Sequence, residues 1–369
     1  MSRILLLLLL APCSLLLAPC TAQTVKSALS PHFLIGVAVN SATLRDGSPE
    51  ADLVSRHFNS IVAENCMKAG PIHPREDRYQ WEEADQTVLF GTRHGMAVIG
   101  HCLVWHSQAP GWMFKDSEGQ EVSRDTLISR MRRHIHTVVS RYRGLIRGWD
   151  VVNEAINDDG TLRASPYLRI IGPEYIELAF RFAHEADPDA ELYYNDYSMA
   201  LPAKRETACR LVRQLKQQGC RIDAVGMQSL LGLTYPDLDE YERTMQALID
   251  CGVKVQVTEL DVSVLPNPWD FHGADIAQHF DYDQRMNPYT EGLPDSVYQQ
   301  LEDRYLQLFR LYRRHERDLL RVTLWGLSDA HSWLNGFPIH GRTNYPLLFD
   351  RQLRPKPVVE KIIQYFDTE

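Results

Sequence analysis

Eight short apolar runs, mostly separated by stretches with helical spacing, restrict this chain more than any other feature it carries. The runs are Leu34–Val39, Ser60–Asn65, Ala97–Trp105, Gly148–Glu154, Glu191–Asn195, Ala224–Ser229, Lys254–Asp261 and Arg321–Ser328. Between two of them, 125–142 sets Leu127, Ile128, Met131, Ile135, Val138 and Val139 on one helical face, with arginines elsewhere. The same spacing recurs over 175–185, 206–218, 238–251, 297–314 and 358–366. Strand and helix alternate without hairpin turns, which predicts parallel strands joined by crossover helices. The runs are apolar on both faces, as strands covered on both sides must be. Eight repeats predict an α/β fold of the closed (β/α)8 TIM barrel kind, a single domain over 23–369. An open α/β sheet is the alternative. No Gly-x-Gly-x-x-Gly follows the first run to support its dinucleotide-binding form.

Residues 1–22 read as a signal peptide. Arg3 is followed by the apolar run 4–17, and Cys20-Thr21-Ala22 offers a small-residue cleavage site before Gln23. The run is shorter than the roughly 20 residues a bilayer span needs, so no membrane span is expected, and a membrane anchor is the weaker alternative. A lipid anchor at Cys20 is a second alternative, disfavoured because Pro19 stands where such signals want a small residue. The expected location is outside the cell or in a periplasm. Cleavage would leave Cys66, Cys102, Cys209, Cys220 and Cys251, an odd set with no Cys-x-x-Cys spacing. Cys209 with Cys220 is a candidate for an incidental bridge. The net charge is −9 and no long basic run occurs, so nucleic acid is not an expected partner and a neutral substrate is.

In a barrel, the C-terminal ends of all strands meet on one face, and there the residue types change together. The runs end in or near Glu64, Asn65 and Lys68; His101, Trp105, His106 and Gln108; Asn153 and Glu154; Asn195, Asp196 and Tyr197; Gln228; Glu259 and Asp261; and Trp325, His331 and Trp333. A single carboxylate at a strand end is ordinarily solvated or capping. Two, from the fourth and seventh runs, accompanied by amides and tryptophans, are the set that glycoside hydrolysis requires. One carboxyl protonates the leaving oxygen and the other attacks or activates water. Amides match sugar hydroxyls, and indole faces cover the apolar faces of pyranose rings. Neither a His-Glu-x-x-His metal motif nor a Gly-x-Ser-x-Gly elbow is present, and no cofactor or metal is expected. An insertion from Leu265 to about Asp295 follows the seventh run and would wall the cleft.

The segments Glu64-Asn65-Cys66-Met67-Lys68, His101 to Gln108, Trp149 to Glu154, Thr258-Glu259-Leu260-Asp261, Trp325-Gly326, Leu348-Phe349-Asp350 and Lys356-Pro357 resemble, in order, those of glycoside hydrolase family 10, the endo-β-1,4-xylanases. The resemblance covers essentially all of 23–369. It implies retaining hydrolysis of xylan and xylo-oligosaccharides by a monomer, with Glu154 as general acid/base and Glu259 as nucleophile. It further implies that Asn153 binds the sugar 2-hydroxyl, that Glu64, Asn65, Lys68, Trp105 and Gln108 hold the non-reducing side, and that His101 and Gln228 are also among the substrate-binding residues. Trp325 and Trp333 would cover the ring at the bond to be cut, and Tyr197 would face the leaving group.

One position departs from the family pattern. Where the family has Gln-x-His after the sixth strand, this chain reads Gln228-Ser229-Leu230. The expectation is that Gln228 positions Glu259 alone, or that His101 takes over as donor, and that Glu259 carries a raised pKa. A cellulase of the same architecture and a carbohydrate-binding protein without catalysis remain alternatives, the latter disfavoured because both glutamates are present.

Overall fold

The computed structural model describes residues 23–268 and 278–368. The signal-peptide expectation for 1–22 and the middle of the 265–295 insertion lie outside the described residues. Among the described residues nine strands form, all paired in parallel: β1 Leu34–Val39, β2 Ser60–Ala63, β3 Ala97–Trp105, β4 Ile146–Asn153, β5 Glu191–Asp196, β6 Ala224–Met227, β7 Leu230–Gly232, β8 Lys254–Ser263 and β9 Leu319–Leu324. Neighbours in sequence pair from β1 to β6, then β6 pairs with β8, β8 with β9, and β9 returns to β1 through Leu34 opposite Arg321. The eight long strands therefore close into the expected barrel. The short β7 is an addition, hydrogen-bonded along the far end of β8 with Leu230 opposite Asp261.

Local chemistry sets the connections. Ser48, Ser123, Ser165 and Asp237 each cap the helix that follows by accepting a backbone N–H, and Pro49 and Pro166 begin two of those helices. The helix Arg124–Arg141 buries Leu127, Met131, Ile135, Val138 and Val139 as its spacing predicts, with Ile128 only half-buried. It also buries His134, whose ring lies 3.1 Å from that of His73. No helix among the described residues is long and apolar enough to cross a membrane.

The barrel interior is more polar than runs apolar on both faces suggest. Arg321 of β9 is buried, donating to Gln256 Oε1 at 2.7 Å and Thr323 Oγ1 at 2.8 Å. Its guanidinium also lies 3.8 Å from Asp150 of β4. Since β4 and β9 are not neighbours, that approach crosses the inside of the barrel. Asp150 in turn holds His101 Nδ1 at 2.9 Å, so a buried polar chain runs up beneath the mouth. Such a chain survives burial only because each charge meets an opposite charge or a hydrogen-bonding group.

The closing Lys356-Pro357 has a structural role. Lys356, buried, donates to Asp329 Oδ1 at 3.0 Å, and Asp329 also accepts from the backbone of Leu347. This ties the chain end to the loop that carries Trp333. Among the described residues the five cysteines are free thiols. The candidate Cys209–Cys220 bridge is not made: Cys209 lies instead beside Cys251, whose thiol points at the Cys209 carbonyl at 4.0 Å. Cys220 follows the helix Pro202–Gln217 and Cys251 ends Leu238–Asp250, so packing of these two helices, not sequence proximity, chooses the neighbour.

Candidate active site

At the C-terminal ends of the strands lies a cavity of about 160 Å³, lined by Asn65, Lys68, His101, Trp105, Gln108, Asn153, Glu154, Gln228, Leu230, Glu259, Trp325 and Trp333. Eleven of these twelve are residues singled out from sequence; Leu230, the departure, is the twelfth. Tyr197 lines an adjoining larger cavity. Glu64 does not line the 160 Å³ cavity, and its carboxylate accepts from Asn40 Nδ2 at 3.4 Å.

Glu154 follows β4 with φ of 57°, a left-handed conformation that non-glycine residues rarely adopt. Its N–H donates to the Asn195 carbonyl at 2.9 Å and its carbonyl accepts from Arg163 Nε at 2.9 Å, which together hold the turn. Strain of this kind costs about 1–3 kcal/mol and persists where surrounding contacts fix it. The side chain is buried, with Oε2 accepting from Trp105 Nε1 at 2.8 Å and Oε1 from Gln228 Nε2 at 2.9 Å.

Glu259, on β8, is held differently. Oε1 accepts from Asn195 Nδ2 at 2.9 Å, and the same amide nitrogen donates to Asn153 Oδ1 at 2.9 Å. Thr258 Oγ1 donates to Asn195 Oδ1 at 2.7 Å and so fixes which way the amide faces. A side chain at Gly226 would overlap the Asn195 amide oxygen, so glycine in β6 is what leaves room for this arrangement. The expectation that Gln228 positions Glu259 is therefore corrected. Gln228 serves Glu154 and, at 3.3 Å, Asn153, because its side chain extends from β6 toward β4. Nor does His101 replace the missing donor: its Nδ1 is engaged by Asp150, and the donor that Glu259 has is Asn195.

Burial raises the pKa of both carboxyls. For Glu154 the amide of Gln228 opposes the rise, nearby Asp196 adds to it, and the Trp105 N–H opposes it. Glu259 is pushed well above the carboxylate range by burial and then by the charge of Glu154, against the Asn195 amide and the Lys68 ammonium. Two carboxyls so placed do not readily ionise together, and the pair retains a proton to higher pH than either would alone. His101 is pushed down by burial against the pull of Asp150. Asp261 is pushed up to about 7 by burial, which the N–H of Trp333 opposes.

The flanking residues are fixed as firmly. Lys68 donates to Asn65 Oδ1 at 2.9 Å, with its ammonium 4.9 Å from the centre of the Trp105 ring. The Gln108 carbonyl, from a residue with φ of 47°, accepts from Gly70 N–H at 2.7 Å. Trp325 meets the His101 ring edge-on, and Trp333 donates to Asp261 Oδ2 at 2.8 Å while stacking on Phe337. Lys204, buried between Asp196 at 2.9 Å and Asp158, places its ammonium 3.6 Å from the centre of the Tyr197 ring. Asn195 and Thr258 are functional residues that sequence reasoning left without a role. Strand alternation could have found the first, since Asn195 lies two residues from Tyr193, a barrel-interior residue, and on the same face.

The family model for glycosyl hydrolase family 10 matches residues 24–365. The chain is 55% identical over 345 residues to endo-1,4-beta-xylanase A of Xylanibacter ruminicola, with 93% of this chain and 94% of that protein covered. A GH10 endoxylanase from a sugarcane soil metagenome shares the fold with a TM-score of 0.89 at 44% identity, covering 92% of this chain and 99% of that one. A mutant structure in complex with xylotriose superposes with a TM-score of 0.83 at 34% identity, covering 92% and 99%. With two buried glutamates facing one cavity at the mouth of a parallel barrel, and a match along nearly its whole described length, this chain belongs to glycosyl hydrolase family 10.

Proposed function

We propose that the protein is an exported, retaining endo-1,4-β-xylanase in which Glu154 is the general acid/base and Glu259 the nucleophile. The observation that carries this reading is the pair itself: two buried carboxyls on one cavity, each held by neutral donors and flanked by Trp325 and Trp333. The relatives named above are xylanases, and one similar structure holds xylotriose, which supports xylan and xylo-oligosaccharides as substrate. In the first step Glu259 bonds to the sugar C1 as the C1–oxygen bond breaks, and Glu154 gives its proton to the departing oxygen. In the second, Glu154 takes a proton from water, whose oxygen bonds to C1 and releases Glu259.

This division of labour depends on the substrate. Burial raises both carboxyls and the charge of Glu154 raises Glu259 further, so the pair holds one proton between them. A sugar bound with C1 beside Glu259 brings developing positive charge to that carboxyl and stabilises its ionised form. The proton then resides on Glu154, where the leaving oxygen needs it. Asn153 is placed by Asn195 and Gln228 to meet the 2-hydroxyl, a contact that strengthens as charge develops at C1. Trp333 crowds the ring position where glucose carries a hydroxymethyl group, which selects xylose.

Reducing-sugar release from xylan and from carboxymethyl-cellulose tests the reading. Release from xylan with little from cellulose is expected. Binding to xylan without products, or faster attack on cellulose, overturns it. For export, the mature protein should begin at Gln23 by mass spectrometry. An intact N-terminus on protein recovered from outside the cell would contradict it.

A further inference from the structure

Behind Glu154 stands a cation that does not line the 160 Å³ cavity. Arg163 ends the excursion that leaves β4: its N–H donates to the Ala155 carbonyl at 2.8 Å, and Ile156 bridges Leu162 in antiparallel fashion. The chain thus turns back on itself and returns Arg163 to the residue it has just passed. The half-buried guanidinium is divided between two acceptors. Nε donates to the Glu154 carbonyl at 2.9 Å, and Nη2 donates to the Tyr197 hydroxyl at 2.5 Å. The Tyr197 ring is itself held, with the Lys204 ammonium 3.6 Å from its centre.

A guanidinium is planar and rigid, so its two prongs fix the separation of whatever they hold. Here they hold the main chain of Glu154 in its left-handed conformation and a phenol on the larger cavity. Charge adds a second effect. Glu154 faces Glu259 from β8, Asp196 and Tyr197 at the end of β5, and Cys102 from β3. Burial raises the Glu154 pKa and Asp196 raises it further, while Arg163 opposes the rise. We propose that Arg163 is a positioning residue for the general acid: by tying the Glu154 main chain to Tyr197 on the leaving-group side, it holds the carboxyl in line with the departing oxygen. The proposal rests on the xylanase reading and deepens it.

The test exploits leaving groups that differ in their need for a proton. The sugar oxygen of xylohexaose departs only with a proton, whereas 2,4-dinitrophenolate departs without one, and kcat/KM reports that first bond-breaking step for both. In Arg163→Ala, kcat/KM on xylohexaose should fall about a hundredfold, the lower end of what a general acid contributes, and that on 2,4-dinitrophenyl β-xylobioside by less than about threefold. The alkaline limb on xylohexaose should move to higher pH, because losing the cation favours protonated Glu154. Arg163→Lys keeps the charge and cannot span both acceptors. Its kcat/KM on xylohexaose should fall about tenfold, the scale of one lost hydrogen bond, with the alkaline limb unmoved. Equal losses on the two substrates would mean a merely structural role and overturn the inference. An unmoved alkaline limb in Arg163→Ala, or a lysine variant as active as the parent on xylohexaose, overturns it too. Should Arg163→Ala fail to fold, the same comparison of leaving groups in Arg163→Lys decides. A parent enzyme that leaves xylohexaose uncut overturns the xylanase reading, and the inference with it.

Discussion

Glu154, just past β4, and Glu259, inside β8, face one cavity from non-adjacent strands, yet they are held in opposite ways. Glu154 sits in a strained left-handed turn and receives two side-chain donors, Trp105 and Gln228. Glu259 lies inside β8, where the register with β9 shifts between Val257 and Leu260, and receives one, Asn195, which is itself shared with Asn153 and oriented by Thr258. The difference teaches where each residue is vulnerable. Glu154 has redundant partners and depends on its left-handed backbone; Glu259 has no left-handed backbone and depends on a single amide.

Removing that amide should therefore cost most. Asn195→Ala takes away the donor to ionised Glu259, so its pKa rises and the acid limb of the pH–rate profile moves to higher pH. Turnover should fall about a hundredfold, the order lost with one preorganised donor. Gly226→Ala, which crowds the same amide, should move both readouts the same way. An unshifted acid limb in Asn195→Ala would show that Glu259 is held by something else. Next in size is Gln228→Ala, which leaves Trp105 as donor to Glu154. The Glu154 pKa rises, the alkaline limb moves to higher pH, and turnover drops about tenfold, equivalent to one hydrogen bond of ~1.4 kcal/mol. A loss as large as that of Asn195→Ala would break the claimed redundancy. Smallest is Leu230→His, which offers Glu259 a second donor from across the shared cavity. Its pKa should fall, the acid limb should move to lower pH, and turnover should rise roughly threefold. A profile and rate identical to the parent would mean the leucine is not what limits Glu259.

Much of this comparison was legible in the sequence, for a physical reason. Parallel barrel strands are short, apolar and end in polar residues at one face, so 97–105 could be bounded by its pattern alone, and Glu154 and Glu259 stood out as strand-end carboxyls. What stayed hidden needed partners from distant strands. Leu230–Gly232 carries no turn signal separating it from β6, and only pairing with Asp261 to Ser263 makes it a strand. Arg321 and Gln256 stand as polar residues inside runs expected to be apolar on both faces, and only the hydrogen bond that Arg321 donates to Gln256 inside the barrel accounts for them. Gln228 was assigned to the wrong glutamate because sequence order places it near neither. The reach of its side chain toward β4 decides the matter.

The central claim is that Glu259 forms the covalent bond to sugar while Glu154 moves the proton. The most direct test is to trap the intermediate with a 2-fluoro-xylobioside bearing a good leaving group and to map the adduct by peptide mass spectrometry. A single xylobiosyl adduct on Glu259 is expected. An adduct on Glu154, or turnover of the same reagent with inverted configuration and no adduct, would contradict it.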